Sequence, residues 1–90
     1  MKSVLPLLAE YLGTFLLVLS VLSLSNPIFI GIIFTVILFL IIPVSGGAVN
    51  PAVSLVYYLN GKLGMKEALI YTVVQVIAAG SSYYVYASLV

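Results

Sequence analysis

The stretch Ser-Gly-Gly-Ala-Val-Asn-Pro-Ala-Val-Ser at residues 45–54 decides the fold, because it places a turn-forming, partly polar segment between long apolar segments. In hydrocarbon an unsatisfied backbone N–H or C=O group costs several kcal/mol. Irregular backbone therefore survives there only where it is packed in protein or lines a water-filled path. The sequence predicts a pore or a buried site at this stretch.

The rest of the chain has the composition of a membrane protein. Of its 90 residues, 64% are hydrophobic and 6% are charged, and the mean hydropathy of +1.37 is far from that of a soluble domain. Cysteine and histidine are absent and the only carboxylate side chains are Glu10 and Glu67, so we expect no metal site, no cofactor and no enzymatic activity. A net charge of +1 without a basic stripe argues against nucleic-acid binding.

Three segments are predicted to cross the lipid bilayer as helices, at residues 5–24, 28–42 and 66–89. The first is long enough for a hydrocarbon core of about 30 Å, whereas the second reaches only about 22 Å before Pro43, which we expect to stop it. Residues 43–60 would form a re-entrant loop and a half-helix that starts at Asn50-Pro51, stops at Asn60-Gly61 and is too short to span. We therefore predict an all-α membrane protein in which residues 1–90 form one unit of three transmembrane helices and one re-entrant half-helix.

The start of the half-helix is the candidate site. Its first-turn N–H groups, and roughly half a positive charge from aligned peptide dipoles, would lie inside the membrane and need a polar neighbour. Asn50 can cap the helix while its amide NH₂ faces a lumen. The free carbonyls of Gly46, Gly47, Ala48 and Val49 can form a row of acceptors leading to it. Water or a small alcohol would fit this pattern.

Several motifs together resemble a known family. Ser-Gly-Gly at 45–47 precedes Asn50, Pro51 and Ala52, the first span opens with Ala-Glu-Tyr-Leu-Gly-Thr-Phe at 9–15, and the third span carries a glutamine. In this order the motifs resemble the first half of the aquaporin (major intrinsic protein) channels over nearly the whole chain. The resemblance implies a half-length member that passes water and small neutral solutes such as glycerol down their gradients.

The resemblance also implies roles for two polar residues. Glu10 would pack behind the loop and accept hydrogen bonds from its backbone, and Gln75 would lie in the same polar layer. An unpaired carboxylate in a membrane is costly, so Glu10 must meet N–H groups or be protonated. The alternatives are that Glu10 reaches interfacial water and that Gln75 only bonds between helices. In the family, opposed half-helix dipoles and two Asn side chains exclude protons.

The sequence departs from the family pattern at several positions. Ala48 stands where the loop commonly carries histidine. Ile30, with Phe29 beside it, stands where the second span usually supplies an aromatic to the constriction. The family's second-half motif continues with arginine, but here Val53 follows and the chain has no arginine. Selectivity between water and glycerol therefore does not carry over from the resemblance.

The family joins two inverted halves, whereas this sequence shows one. The pore would be completed by a second copy packed antiparallel, by a separate partner half, or by further sequence in a longer reading frame. The compact turns favour the antiparallel pair, and the family's tetramers would make four such pairs. Lys2, Lys62 and Lys66 fall on one face, which places the N-terminus and the re-entrant loop in the cytoplasm and opposes inverted copies.

Two other functions remain open from the sequence. A small proton-coupled exporter would use Glu10 to exchange protons for substrate. A non-conducting half would instead bind full-length channels and modulate them.

Overall fold

The computed structural model describes residues 3–90, which form four helices and no strand. The helices are α1 (Leu5–Ser23), α2 (Pro27–Ser45), α3 (Pro51–Leu59) and α4 (Met65–Leu89). Three of them, α1, α2 and α4, are long and apolar enough to cross a membrane. The 9 residues of α3 extend only about 13 Å, less than half of a hydrocarbon core of about 30 Å. The predicted all-α class, with three long helices and one short helix, is confirmed.

Helix α2 runs further than the sequence analysis predicted, because Pro43 lies inside it and does not end it. Proline lacks the N–H that would donate to the carbonyl four residues earlier. Because only two residues follow Pro43 in the helix, the loss is confined to the last turn. The last turn is held by the Gly46 N–H, which donates to the Ile42 carbonyl at 3.0 Å. Gly46 ends the helix because its φ of 89° is a left-handed conformation that glycine adopts without a Cβ penalty.

Helix α1 is central, since it packs against both α2 and α4, while α3 packs against α4. Gly13 allows α1 to approach both α2 and the loop that follows α2. A Cβ at Gly13 would lie 2.8 Å from Ile41 Cδ1 and 2.9 Å from Val49 Cγ1, closer than the ordinary carbon–carbon contact of about 3.5–4.0 Å. The absent side chain therefore lets α2 and the loop after it pack directly on α1, around the apolar cluster of Ile37, Ile41 and Val49.

The interior of the described chain contains as many polar as hydrophobic residues, and its surface is largely apolar. Large apolar side chains are exposed along all three long helices. The buried polar side chains are Glu10, Thr14, Ser20, Ser45, Ser54, Gln75 and Ser82. Because lipid demands that polar groups be satisfied internally, this distribution and the three candidate spans support an integral membrane protein.

A tight connection joins α3 to α4. Asn60 caps the end of α3 and Gly61 follows with φ 83°, as its Asn-Gly sequence predicts. The Gly64 N–H then donates to Glu67 Oε1 at 2.8 Å, which satisfies a free donor at the start of α4. The short connection keeps α3 beside α4 and so fixes where the α3 N-terminus lies.

Candidate functional site

Glu10 lies at the centre of the candidate site and has no exposed surface. One carboxylate oxygen accepts the Ser45 hydroxyl at 2.6 Å and the Ala48 N–H at 3.0 Å. The other accepts the Val49 N–H at 2.7 Å and the Gln75 amide NH₂ at 3.0 Å. Four donors thus fill an acceptor-only group that has about four lone-pair positions. The arrangement matches an ionised carboxylate held behind the loop.

Gln75 connects this carboxylate to α3. Its NH₂ group donates both to Glu10 and to the Ser54 hydroxyl, the latter at 2.9 Å. Both Gln75 and Ser54 are buried, with exposures of 1% and 0%. Since Glu10 lies on α1, Ser54 on α3 and Gln75 on α4, one chain of hydrogen bonds fixes three helices relative to one another.

The loop between α2 and α3 has an unusual backbone. Gly46, Gly47 and Val49 have φ values of 89°, 69° and 46°, and the left-handed region is sterically costly for a β-branched residue such as valine. Strain at Val49 is offset locally, because its N–H reaches Glu10 and its side chain lies in the apolar cluster. The Gly47 N–H donates to the Ser45 hydroxyl at 3.2 Å. Three consecutive N–H groups of the loop therefore point toward the interior.

The carbonyl groups of the same loop fall into two sets. Two are engaged by tyrosines, since the Tyr71 hydroxyl donates to the Ser45 carbonyl at 2.9 Å and the Tyr57 hydroxyl donates to the Gly46 carbonyl at 3.2 Å. Within residues 3–90, no protein donor bonds to the next three carbonyls, those of Gly47, Ala48 and Val49. Ala48 and Val49 are buried as whole residues, with exposures of 2% and 3%. Their backbone oxygens have no protein donor in this part of the chain, but they expose little surface in the single chain.

Asn50 follows these carbonyls and caps α3. Its side-chain oxygen accepts the Ala52 N–H at 2.7 Å, and Pro51 occupies the first helical position, where its missing N–H costs nothing. All three residues of the Asn-Pro-Ala motif are exposed on the chain. In the described part of the chain the Asn50 NH₂ group bonds to no protein acceptor, so it remains available as a donor beside the row of carbonyls.

An apolar groove of about 440 Å³ runs along α2 and is lined by Thr35, Leu38, Phe39, Ile42 and Pro43. It adjoins the loop, because a Cβ at Gly47 would lie 2.6 Å from Ile42 Cγ1 and 3.2 Å from Leu38 Cδ2. The groove thus places an apolar wall next to the loop.

The residues predicted for a constriction lie elsewhere. Ile30 is half-buried and Phe29 is exposed in the first turn of α2. They are 15 and 16 residues from Ser45, or roughly 22–24 Å along the helix. The structure therefore brings Glu10, Gln75 and the loop together, but it leaves Ile30 and Phe29 at the opposite end of α2.

Four residues complete the site although no role in it was expected for them from the sequence: Ser45, Ser54, Tyr57 and Tyr71. A signal for two of them was present in the helical spacing. Tyr71 lies four residues before Gln75 in α4, and Ser54 lies four residues after Asn50, so each shares a helix face with a residue that was singled out.

Comparisons with known proteins support the resemblance. The chain is 36% identical over 87 aligned residues to the aquaglyceroporin AqpS of Rhizobium meliloti (strain 1021). The similarity supports a relationship to the major intrinsic protein family. The alignment covers 79% of this chain and 37% of that protein, so the chain spans little more than a third of the length of the curated relative it matches. No protein-family model matches the chain, and no solved structure matches it.

Proposed function

We propose that this chain is a subunit of a passive membrane channel for water and small neutral solutes such as glycerol. The observation that carries the proposal is the loop before Asn50. Its N–H groups are turned to buried acceptors, while three consecutive carbonyls from Gly47 to Val49 bond to no donor of the described chain. The similarity to a protein named an aquaglyceroporin supports the same class of solute.

In this mechanism the loop replaces the hydration that a permeating molecule loses. A water or alcohol hydroxyl donates to the carbonyls of Gly47, Ala48 and Val49 in turn, and then accepts from the Asn50 NH₂ group. Glu10 keeps the carbonyls free by holding the N–H groups on the other side of the backbone. The positive end of the α3 dipole disfavours cations at this point.

The groove along α2 extends the path. A row of acceptors beside an apolar wall suits a small alcohol, because its hydroxyls can bond to the loop while its CH groups contact Leu38 and Ile42. Water needs only the acceptors. We propose that the path admits both, and that Ile30 and Phe29 form a second narrow point toward the other end of α2.

The path requires a second half. In the described chain α3 packs only against α4, and Asn50, Pro51 and Ala52 are exposed. A second unit packed antiparallel, either another copy of this chain or a partner half, would place a second half-helix opposite the first. Assemblies of four such pairs fit the same scheme.

An orientation with the loop in the cytoplasm is proposed from the lysines. Lys62 lies in the α3–α4 connection and Lys66 in the first turn of α4, so both lie at the same end of α4. Lys2, the third lysine used to predict orientation, lies outside the described residues. The burial of Glu10 under four donors gives no support to a proton-coupled exporter, whose carboxylate must exchange protons with solvent.

Osmotic shrinkage of liposomes that contain only the purified chain tests the function. We expect light scattering to show faster shrinkage than bare lipid under a gradient of an impermeant solute, and faster re-swelling than bare lipid under a glycerol gradient, both without any pH gradient. Shrinkage at the rate of bare lipid from folded protein contradicts a pore built from copies of this chain alone. A requirement for a pH gradient would point to the exporter instead.

Antiparallel pairing has its own test, made simple by the absence of cysteine. Ser25 lies in the exposed turn between α1 and α2, so Ser25→Cys adds a thiol on one side of the membrane. A membrane-impermeant thiol reagent should label about half of the copies from outside if copies insert in both orientations. Labelling of all or none would exclude a pair of inverted copies and leave a separate partner half.

A further inference from the structure

Lys62 lies beside Gly46, the residue just before the row of free carbonyls. Its Nζ is 4.2 Å from the centre of the Tyr57 ring, within the range of a cation–π interaction. The Tyr57 hydroxyl donates to the Gly46 carbonyl. A Cβ at Gly46 would lie 3.7 Å from Lys62 Cε and 4.0 Å from Lys62 Nζ. These contacts place the ammonium group of the exposed Lys62 next to the loop.

The backbone of Lys62 is held as well. Its N–H donates to the Tyr57 carbonyl at 2.8 Å and lies 3.0 Å from Asn60 Oδ1, at the end of α3. Within residues 3–90 no carboxylate forms an ion pair with Lys62. Its positive charge is therefore positioned by the fold and is not neutralised by a neighbour.

The row of free carbonyls would attract cations, and the positive charge of Lys62 opposes this attraction. Consecutive backbone oxygens without donors are the groups that replace the hydration shell of a cation in selective channels. The α3 dipole opposes cations at Asn50, but its influence falls off within about one turn. At the outer end of the row, next to Gly46, the nearby positive charge is that of Lys62, whose Nζ is 4.0 Å from where a Cβ of Gly46 would lie.

We propose that Lys62, held by Tyr57, is a specificity-determining residue that repels cations at the loop-side entrance of the path. The inference rests on the proposed channel function and adds a second barrier to it, separate from Asn50. The repulsion comes from a positive charge near the entrance, so it acts on ions and not on neutral solutes. Salt screens this charge and should weaken the repulsion.

The test compares the potassium permeability with the water permeability of the same liposomes for the wild-type chain, Lys62→Met, Lys62→Arg and Lys66→Met. Lys66→Met is the matched control, because Lys66 carries the same charge at the same end of α4 but none of its atoms is among those nearest a Cβ at Gly46. We expect Lys62→Met to raise the ratio of potassium to water permeability about tenfold at low salt, and to raise it less at high salt. Lys62→Arg should stay near wild type, and Lys66→Met should change little.

Equal ratios for Lys62→Met and Lys66→Met, in liposomes that conduct water, would overturn the role of Lys62 and leave the channel function standing. A raised ratio that Lys62→Arg fails to restore, or that is unaffected by salt, would show a structural role and also overturn it. Absence of water conduction in the wild-type chain would remove the proposed function and the inference with it. The water permeability measurement therefore distinguishes a failure of the Lys62 inference from a failure of the proposed channel function.

Discussion

Two helices of this chain begin in the same way, at Asn26-Pro27 and at Asn50-Pro51. In each, the Asn side-chain oxygen accepts the N–H two residues later, from Ile28 at 2.8 Å and from Ala52 at 2.7 Å. In each, proline occupies the first helical position. The local capping chemistry is the same at both places.

The two starts differ in what precedes them. Asn26 follows a short exposed turn, whereas Asn50 follows a strained loop whose N–H groups converge on Glu10 and whose next three carbonyls are free. The comparison teaches that an Asn-Pro cap carries no function by itself. The proposed function comes from a buried carboxylate that turns the loop N–H groups inward and leaves three consecutive carbonyls without protein donors in the described chain.

Removing that carboxylate should have the largest effect. In Glu10→Gln, an NH₂ group would face buried donors and leave at least one of them unpaired, so we expect the free energy of unfolding to fall by about 3 kcal/mol. The matched control is Glu67→Gln, which changes an exposed carboxylate that caps α4 and should cost a few tenths of a kcal/mol. Equilibrium unfolding in detergent micelles measures both. Equal losses in the two variants would contradict the central role of Glu10.

Filling the space behind the loop should have the next largest effect. Gly13→Ala places a Cβ 2.8–2.9 Å from Ile41 and Val49, and such overpacking costs about 1–3 kcal/mol. Gly31→Ala, near the Asn26 start, meets nothing within 4 Å and should stabilise α2 by about 0.5–1 kcal/mol through helix propensity. The same unfolding experiment should show a lower free energy of unfolding for Gly13→Ala and a higher one for Gly31→Ala. A neutral Gly13→Ala would mean that the loop moves away easily and is not held against α1.

The smallest difference is expected for the caps themselves. Asn26→Ala and Asn50→Ala each remove one capping acceptor, so each should lower the free energy of unfolding by about 1 kcal/mol. Similar losses would confirm that the two caps are locally equivalent. A loss several times larger for Asn50→Ala would show that Asn50 has structural partners beyond its cap.

The helices were largely predictable because their signals are local. Long apolar segments predicted the three spanning helices, and Asn-Pro and Asn-Gly predicted where the short helix starts and ends. The prediction that Pro43 ends the second span was wrong, because it considered the hydrogen bond that proline cannot make and not the helix-ending role of Gly46. A glycine in the left-handed conformation three residues later closes the helix end, and that glycine sets the boundary.

The partners within the site were harder to predict because they depend on how the helices pack. The pairing of Tyr71 with the Ser45 carbonyl joins residues 26 positions apart, and no local pattern specifies it. The carbonyl of Gly46 was expected to belong to the free row, but it already accepts a hydrogen bond from Tyr57. The contacts of Glu10 and Gln75 with loop and helix were expected from the family resemblance, and their role in a channel stays a prediction.

The most direct measurement is the rate of osmotic shrinkage of liposomes containing Asn26→Ala or Asn50→Ala, compared with the wild-type chain at equal amounts of folded protein. Both variants lose the same kind of cap, so stability alone should not separate them. We predict that Asn26→Ala keeps the wild-type rate, while Asn50→Ala loses most of the difference from bare lipid in both water and glycerol gradients. Equal rates for the two variants would contradict the claim that the loop at Asn50 forms the path.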